Sequence, residues 1–320
     1  MKSLILAALA AAIALPCAAQ APVSTEVEIA GPLKGTLLKP AGVTHPPVVV
    51  ILPGSGPTDR NGDNPYGVKG ATYRLLAEGL AGQGVASIRV DKRGMFASAA
   101  AATDPNRVFI DDLATDALAW AAKARAETGA PCAWLAGHSE GSTVALVAAR
   151  KTDGVCGLIL LSGPGRPFGE TLRAQLKVNP ANAPILDQAL PAIDALEAGK
   201  HVDTTGMHPA LLALFHPAVQ DFVINAMAKY PAKLIAAYKG PVLILQGSTD
   251  LQVTVEDARA LKSAQPKASL TFLDGVNHLL KDAPADRAAN FATYGNPDLP
   301  LSSQVVPTIA AFIKAHPGTN

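Results

Sequence analysis

Charged residues are scarce in this chain. Asp, Glu, Lys and Arg make up 17% of its 320 residues and nearly cancel, leaving a formal net charge of +1. Lys and Arg are scattered, so the basic face or tail that binds nucleic acid is missing. The partner this composition suits is a small molecule without strong charge. Long hydrophobic runs are missing too, apart from Leu4 to Leu15. That run is shorter than the ~20 apolar residues a bilayer crossing needs, and no later stretch reaches that length without Gly, Pro or charge. No membrane span is therefore expected. Lys2 before the run, and Pro16 with small residues to Ala21 after it, complete the layout of a signal peptide. Removal of residues 1–21 would leave an exported protein, periplasmic or extracellular, of residues 22–320. Lipid anchoring through Cys17 is disfavoured by Pro16, which stands where such a signal places a small residue.

Cysteine is nearly absent: beyond Cys17 there are only Cys132 and Cys156. An even pair in an exported chain suggests a disulfide, the alternative being two buried thiols. Each precedes an apolar, strand-like run, Ala133 to Ala136 and Leu158 to Leu161. If those strands are parallel neighbours, both cysteines lie at one end of the sheet.

What the chain has is alternation. Ser24 to Ile29 and Leu33 to Leu38 read as an antiparallel pair joined at Gly31-Pro32. Val48 to Leu52 is then a continuous apolar run, as for a strand covered on both faces. A helix over Ala71 to Ala81 follows, then a strand over Val85 to Val90, a helix over Asp111 to Glu127, a strand at Ala133, a helix over Ser142 to Arg150 and a strand at Leu158. Such repetition predicts an α/β fold with a mostly parallel sheet flanked by helices. From about residue 164 to 239 the rhythm breaks into short helical pieces cut by Pro180, Pro184, Pro191, Pro209, Pro217 and Pro231, read as an inserted helical cap. Strands over Val242 to Leu245 and Ser269 to Leu273 resume the pattern, with helices over Val255 to Ala264 and Val305 to Ala315.

The sharpest motif is Gly137-His138-Ser139-Glu140-Gly141, a G-x-S-x-G between a strand and a helix. A serine at the tip of so tight a turn has strained dihedrals, and its neighbours two residues away must lack side chains. A serine hydroxyl is a weak nucleophile and needs a base held in one tautomer by a third group. Asp250, after the strand ending at Leu245, and His278, after the strand ending at Leu273, supply the candidates, at the same sheet edge as Ser139.

The order Ser139, Asp250, His278, the G-H-S-E-G elbow and the segments Gly247-Ser248-Thr249-Asp250 and Gly275-Val276-Asn277-His278 resemble the α/β-hydrolase superfamily along nearly the whole mature chain. Within it, Pro53 to Gly62 and Asp91-Lys92-Arg93-Gly94 resemble bacterial esterases grouped with serine-aminopeptidase-like and dienelactone-hydrolase-like proteins. The resemblance implies a serine hydrolase acting on carboxylic esters of small or medium acyl chain through an acyl-enzyme, without metal or cofactor. It also implies an oxyanion hole from the backbone N–H groups of Ser55 and Glu140. Pro53 departs from the pattern, since many relatives carry histidine before the loop glycine, but backbone donors do not need that side chain.

Other readings stand beside these. Asp250 could merely cap the helix starting near Thr254, and Asp274 is a second acid close to His278. Asp59, Arg60, Asp91 and Arg93 read as an ion-pair network bracing the Ser55 loop. His201, His208 and His216 lack metal-ligand spacing, and Gly54-Ser55-Gly56 lacks the spacing of a nucleotide loop. Glu140 could favour the helix dipole or meet a substrate amine, which would make the protein an aminopeptidase. An acyltransferase and an inactive binding module on the same fold are the remaining alternatives.

Overall fold

The computed structural model describes residues 21–318; the expected signal peptide lies, but for its last residue, outside them. Two antiparallel strands, β1 (Val23–Ile29) and β2 (Leu33–Lys39), open the chain. Then come β3 (Val48–Leu52), α1 (Thr72–Gly82), β4 (Ala86–Val90), α2 (Ile110–Thr128), β5 (Ala133–His138), α3 (Glu140–Ala148) and β6 (Val155–Leu161). Five helices follow: α4 (Phe168–Val178), α5 (Leu186–Glu197), α6 (Pro209–Phe215), α7 (Pro217–Met227) and α8 (Pro231–Ala237). The chain ends with β7 (Val242–Gly247), α9 (Val255–Ala264), β8 (Ser269–Leu273), α10 (Arg287–Ala292) and α11 (Val305–Ala315). The eight strands form one sheet in the order β1-β2-β4-β3-β5-β6-β7-β8, parallel from β4 through β8.

The apolar run in β3 is continuous because both faces are covered. Side chains of a strand alternate between faces, so Val48, Val50 and Leu52 join a core with α2, α3, α8 and α9, whereas Val49 and Ile51 join one with α1 and α11. A third, smaller core lies within the helices between β6 and β7, around Leu172, Ile193, Leu211, Phe215 and Val223. Among the described residues no single helix is long and apolar enough to cross a membrane.

β5 and β6 are parallel neighbours, with Ala133 opposite Val155, which brings Cys132 and Cys156 to one end of the sheet, opposite the edge that carries Ser139. They form a disulfide across a sequence separation of 24 residues. Closing a loop of that length restricts the unfolded chain and stabilises the fold by about 3 kcal/mol on the chain-entropy account. Replacing both cysteines by serine should lower the unfolding free energy by that amount, read from urea midpoints; an unchanged midpoint would contradict it.

Candidate active site

In parallel strands every C-terminal end faces the same way, so the loops after β3, β4, β5, β7 and β8 converge on one edge of the sheet. Ser55, Lys92, Ser139, Asp250 and His278 lie on those loops.

Ser139 joins β5 to α3 with φ 54° and ψ −122°. A non-glycine residue there costs of order 1–3 kcal/mol and persists only where the surroundings dictate it. They do so by close packing. A Cβ on Gly137 would lie 2.1 Å from the Gly141 carbonyl oxygen, and one on Gly141 would lie 2.4 Å from that of Leu52. Both glycines are needed for the start of α3 to press against β5 and β3. The Ser139 N–H donates to the Leu161 carbonyl at 2.9 Å, which fixes the tip of the turn.

Asp250 and His278 are paired and buried, with Nδ1 of the ring 2.8 Å from Oδ2 of the carboxylate. The other carboxylate oxygen accepts from the N–H groups of Gln252 at 2.8 Å and Val253 at 3.0 Å. Burial alone would raise the Asp250 carboxyl, but the adjacent His278 ring and these hydrogen bonds hold it below the usual carboxylate range. An ionised Asp250 accepts the proton on Nδ1 and leaves Nε2 with a free lone pair, the tautomer a general base requires. The helix-capping alternative for Asp250 does not apply, because α9 is capped by Thr254 in a capping box with Asp257. Asp274 is exposed and accepts instead from the Ser248 hydroxyl at 3.2 Å. Among the described residues no hydrogen bond joins Ser139 Oγ to His278, although both line one cavity; such contacts often tighten only in a substrate complex.

The backbone N–H groups of Ser55 and Glu140 find no acceptor among the described residues, whereas the neighbouring Gly54 N–H is taken by the Tyr73 hydroxyl at 2.9 Å. That bond starts a chain whose proton positions follow from donor arithmetic. The Gly54 N–H can only donate, so the Tyr73 hydroxyl accepts from it and turns its own proton to His138 Nδ1, 2.8 Å away. His138 then carries its proton on Nε2 and donates it to the His278 carbonyl at 2.8 Å. The two imidazoles lie with centroids 4.8 Å apart. The loop holding Ser55 and the loop holding His278 are thus tied together behind Ser139.

Burial, reinforced by His278, pushes His138 down to about 3 from 6.5. Between those values the unfolded chain holds a proton that the folded chain lacks, so stability falls as pH falls through this window, by up to about 1.4 kcal/mol per pH unit. Urea midpoints between pH 7 and 4 should show this slope, and His138→Gln should flatten it; equal slopes in the two proteins would contradict the assignment.

Lys92, which the sequence reading did not single out, completes the loop support. Its buried ammonium donates to the Gly54 carbonyl at 2.6 Å and lies 3.8 Å from Glu140 Oε1. Burial raises the Glu140 carboxyl and lowers the Lys92 ammonium, each effect opposed by the other group. Its position straight after β4, at the edge where the other loops gather, was the available signal. Of the expected bracing network, Arg60 and Asp91 do pair, through Nε to Oδ2 at 3.0 Å and the Arg60 N–H to Oδ1 at 2.9 Å. Asp59 instead folds its own loop by accepting from the N–H groups of Asn61, Gly62 and Asp63. Arg93 departs from the network and pairs with Asp116 of α2.

Ser139 lies between two cavities. The larger, about 350 Å³, carries His278, Tyr73, Gln252, Arg287, Phe291 and Tyr294 on its walls. The smaller, about 110 Å³, is bounded by Glu140, Ile110, Phe168, Ala226, Pro231 and Val253. Ser55 and Ser139 line both. Helices α4, α7 and α8 contribute to the smaller cavity, whose wall is mixed, with Phe168, Ala226 and Pro231 beside Glu140, Arg166 and Lys229. Part of the larger wall comes from Leu279, Arg287, Phe291 and Tyr294, in a segment for which no element was expected. His208 and His216 cap α6 and α7, and His201 pairs with Asp221. Among the described residues no group of three or more His, Cys, Asp or Glu converges as a metal site would require.

Comparison with known proteins agrees with this architecture. A family model described as serine aminopeptidase, S33, matches residues 66–282. Esterase EstD from Thermotoga maritima is 26% identical over 262 residues, 78% of this chain but 58% of that protein, so the chain spans less than two thirds of that relative. Among solved structures, the α/β hydrolase GrgF from Penicillium sp. superposes with a TM-score of 0.58 at 18% identity, over 94% of this chain and all of that one. Est1E from Butyrivibrio proteoclasticus gives 0.55 at 17% identity, over 92% and 98% of the two chains. Dienelactone hydrolase from Anabaena variabilis gives 0.51 at 19% identity, over 93% and 99%. The structural likenesses establish the fold, and the family match over more than half of the length places the chain in the serine aminopeptidase (S33) family of α/β hydrolases.

Proposed function

We propose that the protein is an exported serine hydrolase that cleaves carboxylic esters of short or medium acyl chain, with Ser139 as nucleophile, His278 as general base and Asp250 as the acid that orients it. The observation that carries this reading is the strained Ser139 at the junction of two cavities, flanked by two N–H groups without an acceptor among the described residues and sharing the larger cavity with His278, the partner of Asp250. In the proposed reaction Ser139 Oγ bonds to the acyl carbon while His278 Nε2 takes the hydroxyl proton. The oxyanion is held by the N–H groups of Ser55 and Glu140, an arrangement whose single donors are worth about 10²–10³ in rate. The ester C–O bond then breaks as Nε2 returns the proton to the leaving oxygen. Water, deprotonated by the same nitrogen, releases the acid and restores Ser139.

An ester is favoured over an aminoacyl substrate by the charges around Ser139. A free amino terminus needs an available carboxylate, and Glu140 already faces Lys92 at 3.8 Å. Among the described residues no carboxylate lines the larger cavity. The leader and the disulfide support an exported location. Hydrolysis of p-nitrophenyl esters from acetate to dodecanoate by the mature protein, beside Ser139→Ala, tests the reading. Turnover of the shorter esters that is lost in the folded variant is the expected result. No turnover of any ester, or equal turnover by the variant, would overturn it.

A further inference from the structure

The two cavities differ in a way that assigns the two halves of an ester, on the reading of Ser139 and His278 given above. The leaving oxygen must receive its proton from His278 Nε2. His278 lines the larger cavity and not the smaller one, so the alcohol half belongs in the larger cavity and the acyl half in the smaller. The charges near the smaller cavity are internally matched: Glu140 by Lys92, Arg166 by Asp257 and Lys229 by Asp111. Among the described residues that line the larger cavity, Arg287 is the one Lys, Arg, Asp or Glu.

Arg287 has no carboxylate partner among the described residues, and the adjacent Asp286 is occupied in capping α10 through the Ala289 N–H at 2.9 Å. Its guanidinium is exposed to solvent but not loose. It lies 4.9 Å from the centroid of Phe291, which packs against Tyr294 at 5.1 Å. The helix that carries both is fastened to the loops of the proposed triad. Asn290, fully buried, donates to the Thr249 carbonyl at 2.9 Å, and Asn277, next to His278, donates to the Thr293 hydroxyl at 2.8 Å. A fixed cation over an aromatic wall, with no internal counter-charge, is a place for an anion.

We propose that the preferred substrates are esters of a short acyl group with an alcohol or phenol that carries a carboxylate, held by Arg287 at the mouth of the larger cavity. This narrows the weakly charged partner expected from composition to one with a single localised negative charge on its leaving half. The test compares 4-acetoxybenzoate with its neutral methyl ester in the wild type, Arg287→Gln and Arg287→Lys. The carboxylate is the poorer leaving group of the two, so a preference for it must come from binding. The wild type should favour the anion by about fivefold in kcat/KM, the scale of one ion contact at a partly solvated site. Arg287→Gln should bring the ratio to about one through KM, Arg287→Lys should retain part of it, and raising salt from about 0.05 to about 0.5 M should shrink it. Hydrolysis of the neutral ester without preference for the anion, or an unchanged ratio in Arg287→Gln, would overturn this inference and leave the esterase reading standing. Hydrolysis of neither, with Ser139 unlabelled by a fluorophosphonate, would overturn both.

Discussion

His278→Ala is expected to lower kcat toward p-nitrophenyl acetate by about 10⁶-fold, Ser139→Ala by a similar factor, and the double variant by no more than either alone. The non-additivity is the informative part. A nucleophile and the base that activates it act as one device, so removing the second adds nothing once the first is gone. Neither variant should unfold. Ser139→Ala deletes one hydroxyl, and the fold's tie to this region through the His278 carbonyl, which accepts from His138 Nε2 at 2.8 Å, survives loss of the His278 side chain. Additive losses in the double variant would mean that the two residues act in separate steps, and the proposed pairing would be wrong.

Asp250→Asn is expected to cost about 10⁴-fold in kcat with the protein still folded. The amide can still accept from the Gln252 and Val253 N–H groups through one oxygen, so the turn persists. Its other end presents N–H to His278 Nδ1, now 2.8 Å from a carboxylate oxygen, and pushes the ring toward the tautomer whose lone pair faces the wrong way. Because the folded Asp250 carboxyl is held below its ordinary value, its contribution to stability is present at neutral pH and is lost as pH falls through the folded value. A loss of only a few fold in kcat would return Asp250 to a structural role.

Much of the site was legible because its parts are local. The strand-elbow-helix around Ser139 is written in consecutive residues, and the two glycines that frame it can be read as positions where a side chain does not fit; the clashes a Cβ would make there bear this out. The order of strands and loops then brings Asp250 and His278 to the same edge without knowledge of any side-chain contact. What could not be read is equally particular. Tyr73 and His138 are 65 positions apart, and nothing in a helical tyrosine announces that its hydroxyl will relay between Gly54 and an imidazole. Arg60 and Arg93 looked equivalent beside Asp91; only the packing of α2, which brings Asp116 to Arg93, separates them. Residues 279–294 show neither a period of 2 nor one of 3.6 over a useful length, since α10 is six residues long and is held by Asn290 and by its cap. Its contribution to the larger cavity therefore emerges only in three dimensions.

These parts share one logic. The polar relay from Gly54 through Tyr73 and His138 to the His278 carbonyl, and the Lys92 ammonium on the Gly54 carbonyl, hold the loop that carries Ser55 against the loop that carries His278. Preorganised donors act more strongly than solvent because they need no reorientation when charge develops. Burial of these groups is the reason they stay in place, and it is also why His138 remains neutral across physiological pH.

The most direct test of the account is reaction of the mature, folded protein with a fluorophosphonate followed by peptide mapping. A single adduct on the peptide that contains Ser139, formed far more slowly in His278→Ala, is the predicted result. No adduct, or one on another serine with Ser139 unmodified, would contradict the assignment of the nucleophile.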